Sequence, residues 1–236
     1  MWRRTTYCFG MAGAISIIQV NVGQPKLLGR VRDENVYSGI SKRPVPPGTV
    51  LWLSLHNLAG DGQADLSVHG GPDKAVYAYP SEHLPLWEEE LGHPLGPAPF
   101  GENLSTFGAE EADVCIGDRW RWDRAVLEVC QPRWPCFKLA LYRQRSDIQL
   151  RLKVNGRTGW YLRVVEPGEV TVGSPVEVVE RDDAGLTVRD AHLAMADRHL
   201  ENRDLVEALI SHARLADEWS LPLRERLDTA GKGDWR

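Results

Sequence analysis

Cysteine is scarce. The chain has 4 cysteines in 236 residues, and Cys8, Cys115, Cys130 and Cys136 include no Cys-x-x-Cys pair. That excludes a disulfide framework and the usual spacing of a structural zinc site, so a reducing cytoplasm is the expected compartment. Long hydrophobic runs are also missing: none reaches the ~18 residues of a membrane-spanning helix, and no membrane partner is expected. Arg3-Arg4 before the apolar run from Tyr7 to Val20 imitates a short secretory signal. The run continues straight into a strand-like alternation, however, and Met11 offers a translation start alternative to Met1. Excess positive charge is absent as well, the formal net charge being −5. This argues against a nucleic-acid polymer as partner and leaves room only for a local anion pocket.

What is present suits a soluble globular protein, with 42% hydrophobic and 26% charged residues. The length allows one large domain, or a domain with a small appendage, to bury a full core without staples.

The stretch richest in chemistry is Gln131-Pro132-Arg133-Trp134-Pro135-Cys136-Phe137-Lys138-Leu139. Pro132 and Pro135 fix their own φ and push Gln131 and Trp134 toward extended geometry, so a stiff, non-helical loop is expected to present Cys136. Thiolate is both the nucleophile and the soft-metal ligand, and Arg133 and Lys138 nearby would favour it. Metal ligation and sulfur transfer both suit such a thiol. An inert buried cysteine is the plainer alternative.

Short strands separated by Gly/Pro turns dominate the first three quarters. Strands are expected over Ala14 to Val22, Thr49 to Leu55, Ala125 to Cys130, Gly156 to Val165 and Val176 to Val179, with more strand-like sequence flanking Gly117-Asp118. A helix is expected from Leu84 through Leu91, with Ser81 as its cap, and another over Leu141 to Leu152. Polar loops lie between these elements. Ser38-Gly39-Ile40-Ser41-Lys42 offers Lys42 as an anion contact or a solvated lysine. His69-Gly70-Gly71-Pro72-Asp73-Lys74 has paired glycines that let backbone N–H groups approach a ligand, and His69 is a ligand contact, an acid/base group or a structural histidine. Phe100 to Thr106 brings an amide and two hydroxyls. Beyond Gly185 the spacing turns helical, with three short helices expected and Pro222 punctuating the last.

Taken in order, Ser38-Gly39-Ile40-Ser41-Lys42, Gly60-Asp61-Gly62-Gln63-Ala64-Asp65, His69-Gly70-Gly71, Phe100-Gly101-Glu102-Asn103-Leu104-Ser105, Ile116-Gly117-Asp118 and Gln131 to Cys136 resemble the successive motifs of MOSC domains. The helical tail resembles that of the YiiM-like branch. Asn57-Leu58-Ala59-Gly60 departs from the usual sequence there, and only a local loop change is expected from it.

The resemblance implies a mainly β fold: a MOSC β-barrel over residues 14–180 with peripheral helices, plus a small three-helix domain over 186–228. It also implies a molybdenum cofactor of the molybdopterin type, with Cys136 as catalytic thiolate and metal ligand. Lys42, His69, Gly70, Gly71 and Arg133 would hold the cofactor, and Asn103 would hydrogen-bond near the substrate. The implied activity is reductive detoxification of small N-hydroxylated bases such as 6-hydroxylaminopurine. No flavin or iron–sulfur motif is evident, so electrons are expected from a separate reductase. A homodimer is compatible with the sequence. Two alternatives remain open at this point: a persulfide sulfur carrier using Cys136, and a non-catalytic cofactor-binding or interaction module.

Overall fold

The computed structural model describes residues 15–65 and 70–233, the side chains of 231–233 excepted. Met1, Met11, Arg3-Arg4, Cys8 and His69 lie outside the described residues. The chain opens with β1 (Ser16–Val22), the hairpin β2 (Lys26–Val31) and β3 (Glu34–Ser38), then β4 (Arg43–Pro44) and β5 (Val50–Leu53). Next come β6 (Val76–Pro80), α1 (Leu84–Leu91), β7 (Leu104–Phe107), β8 (Arg119–Trp122) and β9 (Ala125–Pro132). Two helices follow, α2 (Phe137–Arg143) and α3 (Ile148–Asn155), then β10 (Trp160–Glu166), β11 (Gly168–Thr171) and β12 (Val176–Glu180). The chain ends in α4 (Val188–Ala196), α5 (Arg203–Ser211) and α6 (Asp217–Gly233).

The mainly β expectation is met by a curled half-barrel. Its eight strands run in the order β12-β8-β9-β10-β6-β7-β1-β4, and β5–β11 and β2–β3 form separate two-stranded ribbons. Pairing is antiparallel except between β6 and β7, which run parallel. Among the described residues no helix is long and apolar enough to cross a membrane.

Register is what builds the site. Tyr161 on β10 faces Gln131 on β9 and Tyr77 on β6. Tyr77 O accepts from Asn103 N–H at 2.8 Å, and Asn103 O accepts from Asn21 N–H at 2.7 Å. One row across the sheet therefore collects residues from four strands and the residue just before β7. Cross-strand neighbours on one face lie only about 5 Å apart, so this row places its side chains together.

Two buried clusters lie behind it. The larger joins sheet residues such as Trp120, Leu127 and Trp160 to Val188, Ala191, Leu209, Trp219 and Leu223 of the C-terminal helices. The smaller is largely aromatic: Tyr77, Tyr79, Trp87 and Phe100 pack with Leu95, Leu139, Ile148 and Leu152. Burying a side chain the size of Leu139 contributes about 1.5–3 kcal/mol, enough to hold α2 firmly on the sheet.

Local differences from expectation have physical causes. Every residue of β6 is buried, so the alternation that marks a half-exposed strand is missing. The expected helix over Leu141 to Leu152 is two helices, because Gln144 turns left-handed (φ 51°) after α2. Pro132 ends a strand instead of opening a loop, and Cys136 is the residue preceding the first turn of α2, with φ −108° and ψ 168°. Ser81 lies in a 3-10 turn (Ser81–His83) ahead of α1 and does not cap it. α6 runs through Pro222. α4 begins with a reciprocal capping box between Thr187 and Asp190.

Candidate active site

At the end of β9 the ladder continues one step further, with Arg133 N–H donating to Gly159 O at 3.1 Å. Trp134 then turns outward onto the C-terminal helices. Its ring lies 5.7 Å from His192 and 5.8 Å, edge-on, from Trp219, with the Lys153 ammonium 4.9 Å from its centroid. Pro135 follows, and Cys136, half-buried, faces inward. The tryptophan anchor and the buried Leu139 hold the cysteine from both sides.

Cys136 lines an open-mouthed pocket enclosing about 600 Å³, mouth included. The wall also contains Lys42, Asp61, Lys74, Tyr77, Asn103, Arg133, Lys138 and Tyr161. Lys42, Asn103, Arg133 and Cys136 are thus brought together as the sequence suggested. Gly70 and Gly71 do not line the pocket, their segment reaching it through Lys74.

The pocket floor is tight backbone. A Cβ on Gly39 would lie 2.1 Å from Gly62 O, and one on Gly101, at φ 81°, would lie 2.5 Å from Ile40 Cγ1. Only glycine lets these strands of loop close on each other.

Arg133, three residues before the thiol, is only 5% exposed. Its guanidinium carbon lies 5.2 Å from the Tyr77 ring centroid. Burial works against its charge, but Tyr77, Tyr161 and Cys136 more than offset this and raise its pKa. Its Nη1 is buried without a hydrogen-bond acceptor among the described residues. A buried donor left unpaired costs about 1–3 kcal/mol, which a bound anion would recover. Tyr161 is pushed up to about 12, chiefly by burial, with Arg133 opposing, so it stays a neutral phenol.

Lys42 and Asn103 are held by an acid that the sequence reading left without a role. Asp61 pairs with Lys42, accepts from Gly23 N–H at 2.8 Å, and accepts from Asn103 Nδ2 at 2.9 Å. Asn103 Nδ2 also donates to Asn21 O at 3.2 Å, and Asn103 Oδ1 accepts from Tyr77 N–H at 3.1 Å. The asparagine amide is a clamp between β1, β6 and Asp61, and its place in the pocket wall is fixed by that clamp. Burial lowers the Lys42 pKa, with Asp61 opposing.

Beneath the wall Glu102 is completely buried. It accepts from Phe100 N–H at 3.0 Å and the Ser105 hydroxyl at 3.2 Å, and burial raises its pKa to about 7. A folded-state pKa raised above its unfolded value means extra proton binding by the native state. The associated stability is fully present below about pH 4.5 and is lost as pH rises through about 7. Glu102→Gln, which keeps an acceptor, should therefore gain on the wild type as pH rises across that window. The expected difference is about 3 kcal/mol, read from urea midpoints of both proteins at pH 5 and pH 8.

Asp61, Lys74, Tyr77, Glu102 and Tyr161 carry site roles that sequence reasoning missed, whereas Lys138 lines the pocket beside the thiol it was expected to serve. Asp61, Lys74 and Glu102 stand inside the quoted motifs, which was their one available signal. Tyr77 and Tyr161 have none, since their place depends on strand register.

A half-barrel with a cysteine at the end of a central strand and cations around it defines a MOSC-type protein. The family model described as MOSC domain matches residues 65–177. Among curated relatives, the uncharacterized protein YflK of Bacillus subtilis is 41% identical over 90% of this chain and 95% of its own length. A protein named Reductase from Gibberella moniliformis is 30% identical over 92% of this chain, the match covering 38% of that longer protein. The crystal structure of YiiM from Geobacillus stearothermophilus superposes with a TM-score of 0.75 at 33% identity, covering 90% of this chain and 99% of that one. The chain belongs to the MOSC domain family, on its YiiM-like branch.

Proposed function

We propose that the protein is a molybdenum-cofactor-dependent reductase of small N-hydroxylated compounds, bases among them, and that it works in detoxification. The observation that carries this reading is the shared pocket of Cys136 and Arg133, a thiol beside a buried guanidinium with an unsatisfied donor. The residues fit an anionic, sulfur-liganded group. No cluster of three or more His, Cys, Asp or Glu side chains able to hold a metal occurs among the described residues, so the remaining donors would come from the cofactor's own organic part. The relative named Reductase supports a redox role.

When bound, the cofactor would supply two-electron redox chemistry, with electrons delivered by a separate reductase. The chain's own residues do the rest. Cys136 holds the metal by its thiolate. Arg133, with Lys42 and Lys138 in the same wall, binds the cofactor's anionic groups. Tyr161 and Asn103 orient what lies against them, and the aromatic core behind Tyr77 keeps water from that side.

The test is molybdenum content by elemental analysis of protein purified anaerobically from a host with an intact cofactor pathway. Near-stoichiometric metal, and turnover of 6-hydroxylaminopurine with a reductase present, is the expected result. No metal even after the cofactor is supplied overturns the reading. Arg133→Met should retain the fold and lose most of the bound molybdenum after gel filtration, a loss of roughly tenfold or more in affinity for one charge-assisted contact.

A further inference from the structure

The C-terminal helices reach the wall of this pocket through an ion pair. Glu218, in the first turn of α6, places Oε2 2.5 Å from Lys74 Nζ. Lys74 ends the short turn Pro72–Lys74, lines the same pocket as Cys136 and Tyr161, and has a side chain only 11% exposed. Glu218 is 52% exposed and sits on the solvent side of the pair. Its position is well fixed: Ala216 N–H donates to Cys130 O on β9 at 3.0 Å, and Trp219 packs edge-on against Trp134. An ion pair this open to water does little for stability, yet it cancels a charge at the pocket wall. Tyr161 lies within electrostatic reach of both Cys136 and Glu218, which joins the carboxylate to the thiol's surroundings.

We propose that Glu218 is a charge filter: by neutralising Lys74 it makes the approach to Cys136 favour uncharged substrates over anionic ones. The inference rests on the reading of Cys136 as the reactive end of the pocket. Arg133 and Lys138 remain for the cofactor's anionic groups, while the pocket wall contributed by Lys74 presents no net charge to an incoming substrate. An N-hydroxylated base would enter more readily than its phosphate-bearing nucleotide. With Glu218 removed, Lys74 would attract the anionic form.

The test uses cofactor-free full-length protein under reducing conditions at low ionic strength. Cys136 is alkylated with neutral iodoacetamide or with anionic iodoacetate, and the rates are read by mass spectrometry of the peptide that contains it. In Glu218→Gln the iodoacetate-to-iodoacetamide rate ratio is expected to rise about three- to tenfold, the effect of one charge at close range in a partly wet site. Lys74→Gln should lower the ratio, the double variant should return near the wild type, and added salt should shrink the shift. An unchanged ratio in Glu218→Gln overturns the filter. So does an equal shift in Glu207→Gln, a change of the same charge at an exposed position of α5, and so does a Cys136 that neither reagent reaches. Because the assay needs no metal, protein that lacks molybdenum but shows the shift keeps the filter and loses only the cofactor. Protein with molybdenum and no shift loses only the filter.

Discussion

Cys136→Ser is expected to lose bound molybdenum and to reduce N-hydroxylated substrates at least ~100-fold more slowly, while unfolding at nearly the wild-type urea concentration. The two halves of that expectation have separate causes. Serine is close to cysteine in size, but its hydroxyl is a hard donor that stays protonated at neutral pH, a poor ligand for a soft-liganded metal. Folding should be spared because residue 136 stands just before α2 in extended geometry, and the Cys136 side chain makes no capping hydrogen bond there. Serine is among the preferred residues at such a position, so the change is expected to be neutral or to stabilise by a few tenths of a kcal/mol. Elemental analysis, a coupled reduction assay and a urea titration on the same preparations check all three. Full activity in the variant would remove the thiolate-ligand assignment. Loss of activity in Cys136→Ser, from a wild type that carries no molybdenum but does carry sulfur releasable by cyanide, would instead favour the persulfide carrier.

The parts of this site legible in the sequence are those written locally. Pro132 and Pro135, directly before Arg133 and Cys136, mark a stiff, constrained segment whatever the fold, and the helical spacing beyond Gly185 gives three helices without tertiary information. The short helix α2 was hidden because Cys136 looked like part of the loop, when it is the residue from which the helix starts. β6 was hidden by its burial, since a strand covered on both faces carries no alternation. Tyr77, Tyr161 and Arg133 become neighbours only through the register of three strands. The pair of Lys74 and Glu218 is harder still to foresee, because it depends on where α6 docks against β9. Lys42 was found and its constraint missed: the motif named the lysine, while the acid that fixes it lies in a different loop.

That constraint leads to the second large effect, expected for Asp61→Ala. The Asp61 side chain is 2% exposed and takes three donors, from Lys42, Gly23 and Asn103. Removing it strands an ammonium whose side chain is only 7% exposed, along with a buried amide and a backbone N–H. Breaking a buried pair from one side costs about 3–5 kcal/mol, more than the pair as a whole contributes relative to apolar residues of similar size. The urea midpoint of Asp61→Ala should fall accordingly, and Lys42→Met in the same chain should recover most of the loss, because no unpaired charge is then left behind. Lys42→Met alone should be the milder single change, since Asp61 keeps two donors, Gly23 N–H and Asn103 Nδ2. A loss below about 1 kcal/mol in Asp61→Ala would mean that water or a shift of the loop rescues Lys42. The lysine would then be mobile and not a fixed part of the pocket wall. A large loss with recovery in the double variant would instead show that Asp61 acts on the site by holding Lys42 and Asn103 in place. Any fall in activity on mutating Asp61 would then follow from displaced groups, with no proton transfer by the carboxylate required.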